Sequence, residues 1–565
     1  MVSKIFKFLN RESSGVNEAA LLLGLFTFLS QIFGLVRDRL LASYLGVGPS
    51  LDLYYAAFKI PDFLYVSVAT LAAITVMLPY LSSRYGSGDE DSVKKTKIFF
   101  NQVFTVLFGF LGILSLVLFI VMPLLAHAIA PGFSGSEYVK LVMMSRVMLL
   151  QPIIVGLSNL FSSVTQMFRK FFVAALSPVM YNLGIIIGVI FFLPLFGTMG
   201  LAYGVVLGAV LHLAIQIPIL GFHGFIPRFV RNISWSDIKS VVLVSVPRTI
   251  GLSVSSFTAV ILTSLASTLA TGSIAIFNLT NNMLNIPIGI IGISYSVASF
   301  PTLVKLFQSN ERAKFADHIV EATRKIILLA APITVLFIVL RAQIIRVILG
   351  AHSFSWNDTR IAAACLALFV IGMVCEALVY LLVRGYYAIG NTKTPLLWNF
   401  IGEIFTIVLA IVFVWMFRTI PAFGNMFVTV LRLQGVPNLE ILALPFAFSL
   451  GNILNFFTLW YVFVRDFPDA KTAPVWKTIF EATTASLALG LASYATLQLT
   501  ALIFNQQTFW GIFMQGTVSA IAGIIVAVIV LRIMGNRDIL DIWHAMKRKF
   551  WKSNVIQEVG EAVDN

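Results

Sequence analysis

Four asparagines in one apolar stretch, Asn278, Asn281, Asn282 and Asn285, stand at i, i+3, i+4 and i+7, so a helix there carries four amides on one face. An amide is costly against lipid, and that face must meet either another helix or a watery cavity. Charged groups recur in equally apolar settings. Ser30, Gly34, Arg37 and Asp38 share one side of an earlier helix, with Gln31 beside them; Arg37 either lines a cavity there or pairs and snorkels at the interface. On the next helix Asp52, Ala56, Lys59 and Phe63 form a stripe. Asp52 either caps the N-terminus of its helix or faces a site, and Pro61 invites a bend beside Lys59. Farther on, Asn399 and Glu403 lie one turn apart, an amide and a carboxylate that hold a cation, or a proton, or only one another; Glu376 lies in the apolar stretch before them. The six histidines have no metal-ligand spacing, and no metal centre of the zinc type is expected. Cys365 and Cys375, about 15 Å apart on one helix, are too distant for a disulfide and read as small core residues.

The elements that position these residues are membrane helices. Of 565 residues, 59% are hydrophobic and 11% charged, and the mean hydropathy is +0.93. Apolar runs of about 20 residues, each long enough to cross the hydrocarbon core, recur from Ala19 to Leu531 without the alternation a barrel needs. Hydropathy predicts about fourteen transmembrane helices. Basic residues collect in alternate loops (Arg84, Lys94, Lys95 and Lys97; Arg169 and Lys170; Arg228 and Arg231; Arg312 and Lys314), while 44–50, 196–198, 270–272 and 505–508 have none. Both termini are therefore expected in the cytoplasm. The apolar run after Lys4, Lys7 and Arg11 is too long for a signal sequence and reads as a retained first span, preceded by an interfacial segment, 1–18. Asp89, Glu90 and Asp91 form an acidic run without a second cluster, the pattern of a solvated loop.

Short stretches repeat in order along the chain. Ser177 to Asn182 reads like Thr394 to Asn399, Leu207 to His212 like Leu450 to Asn455, and Pro79 to Leu81 like Pro301 to Leu303. The last register makes Asn281 the counterpart of Lys59. A six-helix repeat inserts twice in the same orientation, which predicts two lobes, 19–220 and 240–467, joined by a cytoplasmic linker, 221–239, with a site between them. A further helix pair, 468–535, follows. The tail, 536–565, sets Ile539, Ile542, Trp543, Met546 and Phe550 beside Lys547, Arg548, Lys549 and Lys552, a basic amphipathic helix for the anionic inner leaflet. That assignment accounts for much of the net charge of +14, and no nucleic-acid partner is expected.

These residues also carry a resemblance. Gly34-Leu35-Val36-Arg37-Asp38, then Asp52 to Pro61, then Ala130-Pro131-Gly132-Phe133, then Arg384 to Ala388 with Asn391 to Pro395, resemble motifs of the MurJ (MviN) lipid II flippases, in order over nearly the whole chain. The resemblance implies a fourteen-helix exporter of the multidrug/oligosaccharidyl-lipid/polysaccharide superfamily. It also implies two lobes alternating access to a cationic cavity and a terminal helix pair that grooves the lipid tail. It implies cavity roles for Arg37 and Asp52 and a sodium site at Asn399 and Glu403. The chain departs from enterobacterial members at Gln31, at Tyr65 and Val66, and at Asn281, where they have arginine. Arg37, Lys59 and Arg248 remain to meet a diphosphate. The expectation is a lipid II flippase, not an enzyme, without a cofactor beyond a coupling Na+ or H+. The alternative is a flippase for another polyprenyl-linked saccharide or a multidrug antiporter. The expected substrate positions of the flippase are Ser30, Gln31, Arg37, Asp38, Asp52, Lys59, Arg248, Asn278, Asn281 and Asn285. No Walker motif is present, so ATP is not the expected energy source.

Overall fold

The computed structural model describes residues 16–68, 74–86, 88–351, 353–536 and 538. Most of the interfacial N-terminal segment and nearly all of the basic tail lie outside that set. Among the described residues the chain is all helix with no strand: α1 (Val16–Leu45), α2 (Pro49–Ser67), α3 (Ile74–Tyr85), α4 (Glu90–Ile129), α5 (Gly135–Met167), α6 (Phe171–Phe196), α7 (Met199–Phe222), α8 (Trp235–Ser267), α9 (Ser273–Gln308) and α10 (Arg312–Val339). There follow α11 (Arg341–Ile348), α12 (Trp356–Ile371), α13 (Met373–Ala388), α14 (Lys393–Thr419), α15 (Pro421–Leu431), α16 (Leu439–Asp466), α17 (Ala473–Ala501) and α18 (Phe509–Ile533). Hydropathy predicts about fourteen spans, and fewer of the described helices are by themselves both long and apolar enough. Among the described residues ten helices are long and apolar enough to cross a membrane, or 11 when the pair α12–α13, bent by 43°, counts as one. The protein is an all-α polytopic membrane protein. Its outward faces fit that solvent: on α4, Ile113, Leu116, Ile120 and Leu124 recur at helical spacing and all are exposed.

The described residues divide into two compact units: 1–282 with 348–365 and 392–451, and 283–347 with 366–391 and 452–565. In the first unit, α6 and α7 pack backbone to backbone. A Cβ on Gly184 would meet Gly208 Cα at 2.2 Å, and one on Gly188 would meet Gly204 Cα at 2.5 Å. Small residues at such spacing let helices approach without a hydrophobic driving force, which lipid does not supply. A buried polar network joins the same helices to α5. Gln216 Nε2 donates to Ser158 Oγ (2.6 Å) and Ser177 Oγ (3.1 Å), Ser162 Oγ donates to Gln216 Oε1 (3.0 Å), and Ser158 Oγ meets His212 Nδ1 (2.6 Å). Away from water such groups are stable only when partnered, so this network fixes how the three helices register.

Two helices carry a π turn, Gly188–Phe192 in α6 and Gly289–Ile293 in α9, the second directly after Pro287. Proline removes an intrahelical donor, and a wide turn absorbs the mismatch.

In the second unit α17 and α18 form a hairpin. Ser493 Oγ donates to the Ser519 carbonyl (3.0 Å), Gln515 Nε2 to the Leu497 carbonyl (3.1 Å), and a Cβ on Gly523 would strike Ser493 Oγ. Asn452 Nδ2 donates to Glu376 at 3.1 Å, which gives that intramembrane carboxylate a partner. Arg324 ties Asp538 (2.6 Å) and Thr478 (2.9 Å) to α10.

Candidate functional site

Arg37 is the hub of the polar face on α1. Its Nε and Nη2 donate to Asp38 Oδ1 at 2.9 and 2.8 Å, and its Nη1 donates to Asn182 Oδ1 at 3.0 Å. Asn182, on α6, turns its own amide back to Ser30 Oγ at 3.3 Å. Three of the five guanidinium donors are thus taken and two remain. The side chain keeps 21% of its surface accessible, against 4% for Asp38. Arg37 therefore pairs with Asp38 while part of its side chain stays accessible.

The asparagine face of α9 ties this group to α2. Asn282 Nδ2 donates to the second oxygen of Asp38 at 3.0 Å, and Lys59 Nζ donates to Asn278 Oδ1 at 2.8 Å. One turn of α9 thus reaches α1 with one amide and α2 with another. Asn278 is buried, Asn281 and Asn282 are half-buried and Asn285 is exposed, so the stripe grades from helix contact to open surface. Gln31 is exposed and Ser30 half-buried.

Asp52 is spent differently. It is 3% exposed, and its carboxylate accepts from the backbone amides of Gly272 (2.5 Å) and Ala275 (2.7 Å). It caps the start of α9 and not its own helix, satisfying orphan amides and meeting the positive end of that helix dipole. The side chain of Arg248 lies outside the described residues.

Glu403 accepts from Ser255 Oγ on α8 at 2.7 Å, and Thr258 of the same helix also donates to it. Glu403 borders a cavity of about 510 Å³ walled by Phe63, Phe110, Ile250, Phe257 and Phe400, with Ser253 Oγ bonded to Ser67 Oγ at 3.1 Å. Asn399, half-buried, lies one turn before it. Ser255 and Glu403 join α8 to α14 as Arg37 and Asn182 join α1 to α6. Among the described residues no cluster of three or more His, Cys, Asp or Glu could hold a metal.

Three participants escape the reading by spacing. Asn182 sits in the repeated hexapeptide as the counterpart of Asn399, which was the signal available for it. Tyr65 has its hydroxyl bonded by Asn159 Nδ2 at 3.1 Å. Asp62 lies three residues after Lys59, and Lys59 and Arg37 are its electrostatic neighbours. Its carboxylate is exposed although Ile60, Pro61 and Leu64 beside it are buried. A carboxylate one turn from a lysine inside an apolar run is visible in sequence once that run is assigned to a membrane.

The family described as "Lipid II flippase MurJ" matches residues 41–519. A probable lipid II flippase MurJ of Rhizobium tropici is 28% identical over 384 residues, covering 66% of this chain and 70% of its own length. One of Vibrio cholerae serotype O1 is 26% identical over 514 residues, covering 85% and 95%. Among solved structures, lipid II flippase MurJ in an inward closed conformation superposes with a TM-score of 0.71 at 22% identity, over 91% of this chain and 99% of that one. An inward-facing multidrug resistance MATE family transporter of the MOP superfamily gives 0.63 at 15% identity, over 80% and 99%. At these identities the two structures speak for the fold, whereas the match over 41–519 takes in Asp52, Lys59, Asn182, the asparagine face and Glu403. A polytopic helical chain matched over that length belongs to the lipid II flippase MurJ family.

Proposed function

We propose that this chain is a lipid II flippase of the bacterial inner membrane, moving the polyprenyl-diphosphate-linked precursor from the inner to the outer leaflet by alternating access. The family match over residues 41–519 carries this reading. The geometry around Arg37 is compatible with it: an intramembrane guanidinium with two free donors, near an ammonium that uses one of its three.

In this reading Arg37 and Lys59 take the diphosphate, because charge-assisted hydrogen bonds from a preorganised cation are the strongest contacts available to it. Asn281 and Asn285 bond sugar or peptide. The prenyl tail stays in lipid, along the groove of 468–535. The lobes 19–220 and 240–467 exchange access, and both termini face the cytoplasm with the basic tail on the anionic leaflet. No covalent bond is made or broken. Two negative charges moving outward from an inside-negative compartment release roughly 4–5 kcal/mol per 100 mV if they cross uncompensated. Na+ or H+ at Asn399 and Glu403 is a second source of coupling.

The test is complementation of a conditional flippase-depletion strain, read as lipid II in the outer leaflet. Restored growth with restored outer-leaflet lipid II supports the reading. A well-inserted protein that restores neither overturns it.

A further inference from the structure

The charges at this site balance. Arg37 is paired with Asp38, and Lys59 has Asp62 as its electrostatic neighbour, so two cations face two carboxylates. A site built only to hold a diphosphate would not place a second carboxylate there, because like charges repel across a medium of low dielectric. Asp38 has a structural reason to be present: it is buried and holds both Arg37 and Asn282. Asp62 has none of that kind. It makes no hydrogen bond or ion pair among the described residues, and its side chain is exposed.

Asp62 follows Lys59 by one turn on the same side of α2, the side whose ammonium donates to Asn278 of α9. Its electrostatic neighbours come from three helices, Arg37 on α1, Lys59, Tyr54 and Tyr65 on α2, and Tyr181 on α6. An accessible carboxylate that makes no hydrogen bond or ion pair among the described residues, on a helix side occupied by polar groups, is open to a cation. Desolvating it there is costly unless a cation arrives.

We infer that Asp62 is a cation-recognising position of the transport site, receiving a positive group that enters with the diphosphate: an ammonium on the peptide of the head group, or an inorganic cation bound to the diphosphate. This deepens the flippase reading and rests on it. Arg37 and Lys59 fix the anionic end of the cargo, and Asp62 reads what accompanies it. The site thereby selects a zwitterionic or cation-escorted head group over a bare polyprenyl diphosphate.

The experiment measures binding to the full-length protein in nanodiscs for three probes: lipid II with a free peptide amine, the same lipid II with that amine acetylated, and undecaprenyl diphosphate. Each is titrated with and without Na+ and Mg2+, for the wild type, Asp62→Asn and Asp62→Glu. With an ammonium as the cation, the wild type prefers the free amine over the acetylated form by about 10-fold or more, the size of a charge-assisted contact. Asp62→Asn erases that preference and Asp62→Glu restores part of it. With an inorganic cation, all three probes bind about 10-fold tighter when Mg2+ or Na+ is present, and Asp62→Asn removes that ion dependence. If Asp62→Asn keeps the wild-type amine preference and ion dependence, or the wild type shows neither, the inference is overturned. Binding of undecaprenyl diphosphate by the wild type, with no Asp62 effect on any probe, sinks this inference alone. Failure of the wild type to bind any of the three sinks the flippase reading.

Discussion

Replacing Arg37 perturbs two things at once, and the structure shows how to separate them. Arg37→Ala removes the contacts to Asp38 and Asn182 and the donors left for a ligand. Breaking a buried ion pair costs about 3–5 kcal/mol when it strands a charge. Here the cost is lower, about 2–3 kcal/mol, because Asp38 keeps Asn282 and Arg37 is 21% exposed. Arg37→Ala combined with Asp38→Asn removes the stranded charge and recovers most of that loss. Transport does not recover, because the diphosphate contact is still missing; at about 1.5–3 kcal/mol it is worth on the order of 10- to 150-fold in affinity. Arg37→Lys keeps charge without the fork and retains part of the activity. Thermal unfolding in detergent measures the first effect and outer-leaflet lipid II the second. The reasoning is refuted if the double variant is stable and transports at the wild-type rate.

Asp52→Ala leaves the Gly272 and Ala275 amides uncapped and lowers stability by about 2–3 kcal/mol, with Asp52→Asn losing less; equal unfolding midpoints for all three proteins contradict the capping role. Glu403→Gln keeps the shape that meets Ser255 and removes the charge, so any sodium dependence of transport weakens while expression holds. Indifference of the wild type to sodium, with no effect of the substitution at any pH, makes the group structural. Asn281→Arg, at a half-buried position, is tolerated if the site is watery, and a cysteine there in a Cys365→Ser, Cys375→Ser background reacts with an impermeant thiol reagent that lipid II slows. Misfolding together with no labelling from either side places Asn281 in a dry contact. Gly184→Ala drives a Cβ into the Gly208 backbone and costs about 1–3 kcal/mol, whereas unchanged thermal stability argues against the close α6–α7 crossing.

The fold was legible because lipid leaves so few solutions: apolar runs without alternation must be helices, and the described residues are helical with no strand. Shared helix faces were legible where spacing alone decides, as for Asn278 and Asn282, which reach two other helices. It was not legible where the partner lies on another helix. Nothing local distinguishes Asp52 as a cap of its own helix from a cap of α9, and the choice is made by the turn at Gly272 packing against α2. Glu403 accepts from Ser255 and Thr258 of α8, donors on another helix that spacing along its own helix does not reveal. Periodicity reports which residues share a face, not which face they meet.

The most direct test of the transport claim is made in vesicles containing only this protein and lipid II. Lipid II is loaded in the inner leaflet and detected outside by a membrane-impermeant probe, with an imposed potential. In vesicles with the cytoplasmic side inward, outer-leaflet lipid II should rise above that of protein-free vesicles, and rise further when the interior is made negative. The same level of outer-leaflet lipid II with and without the protein, at every potential, would contradict the account.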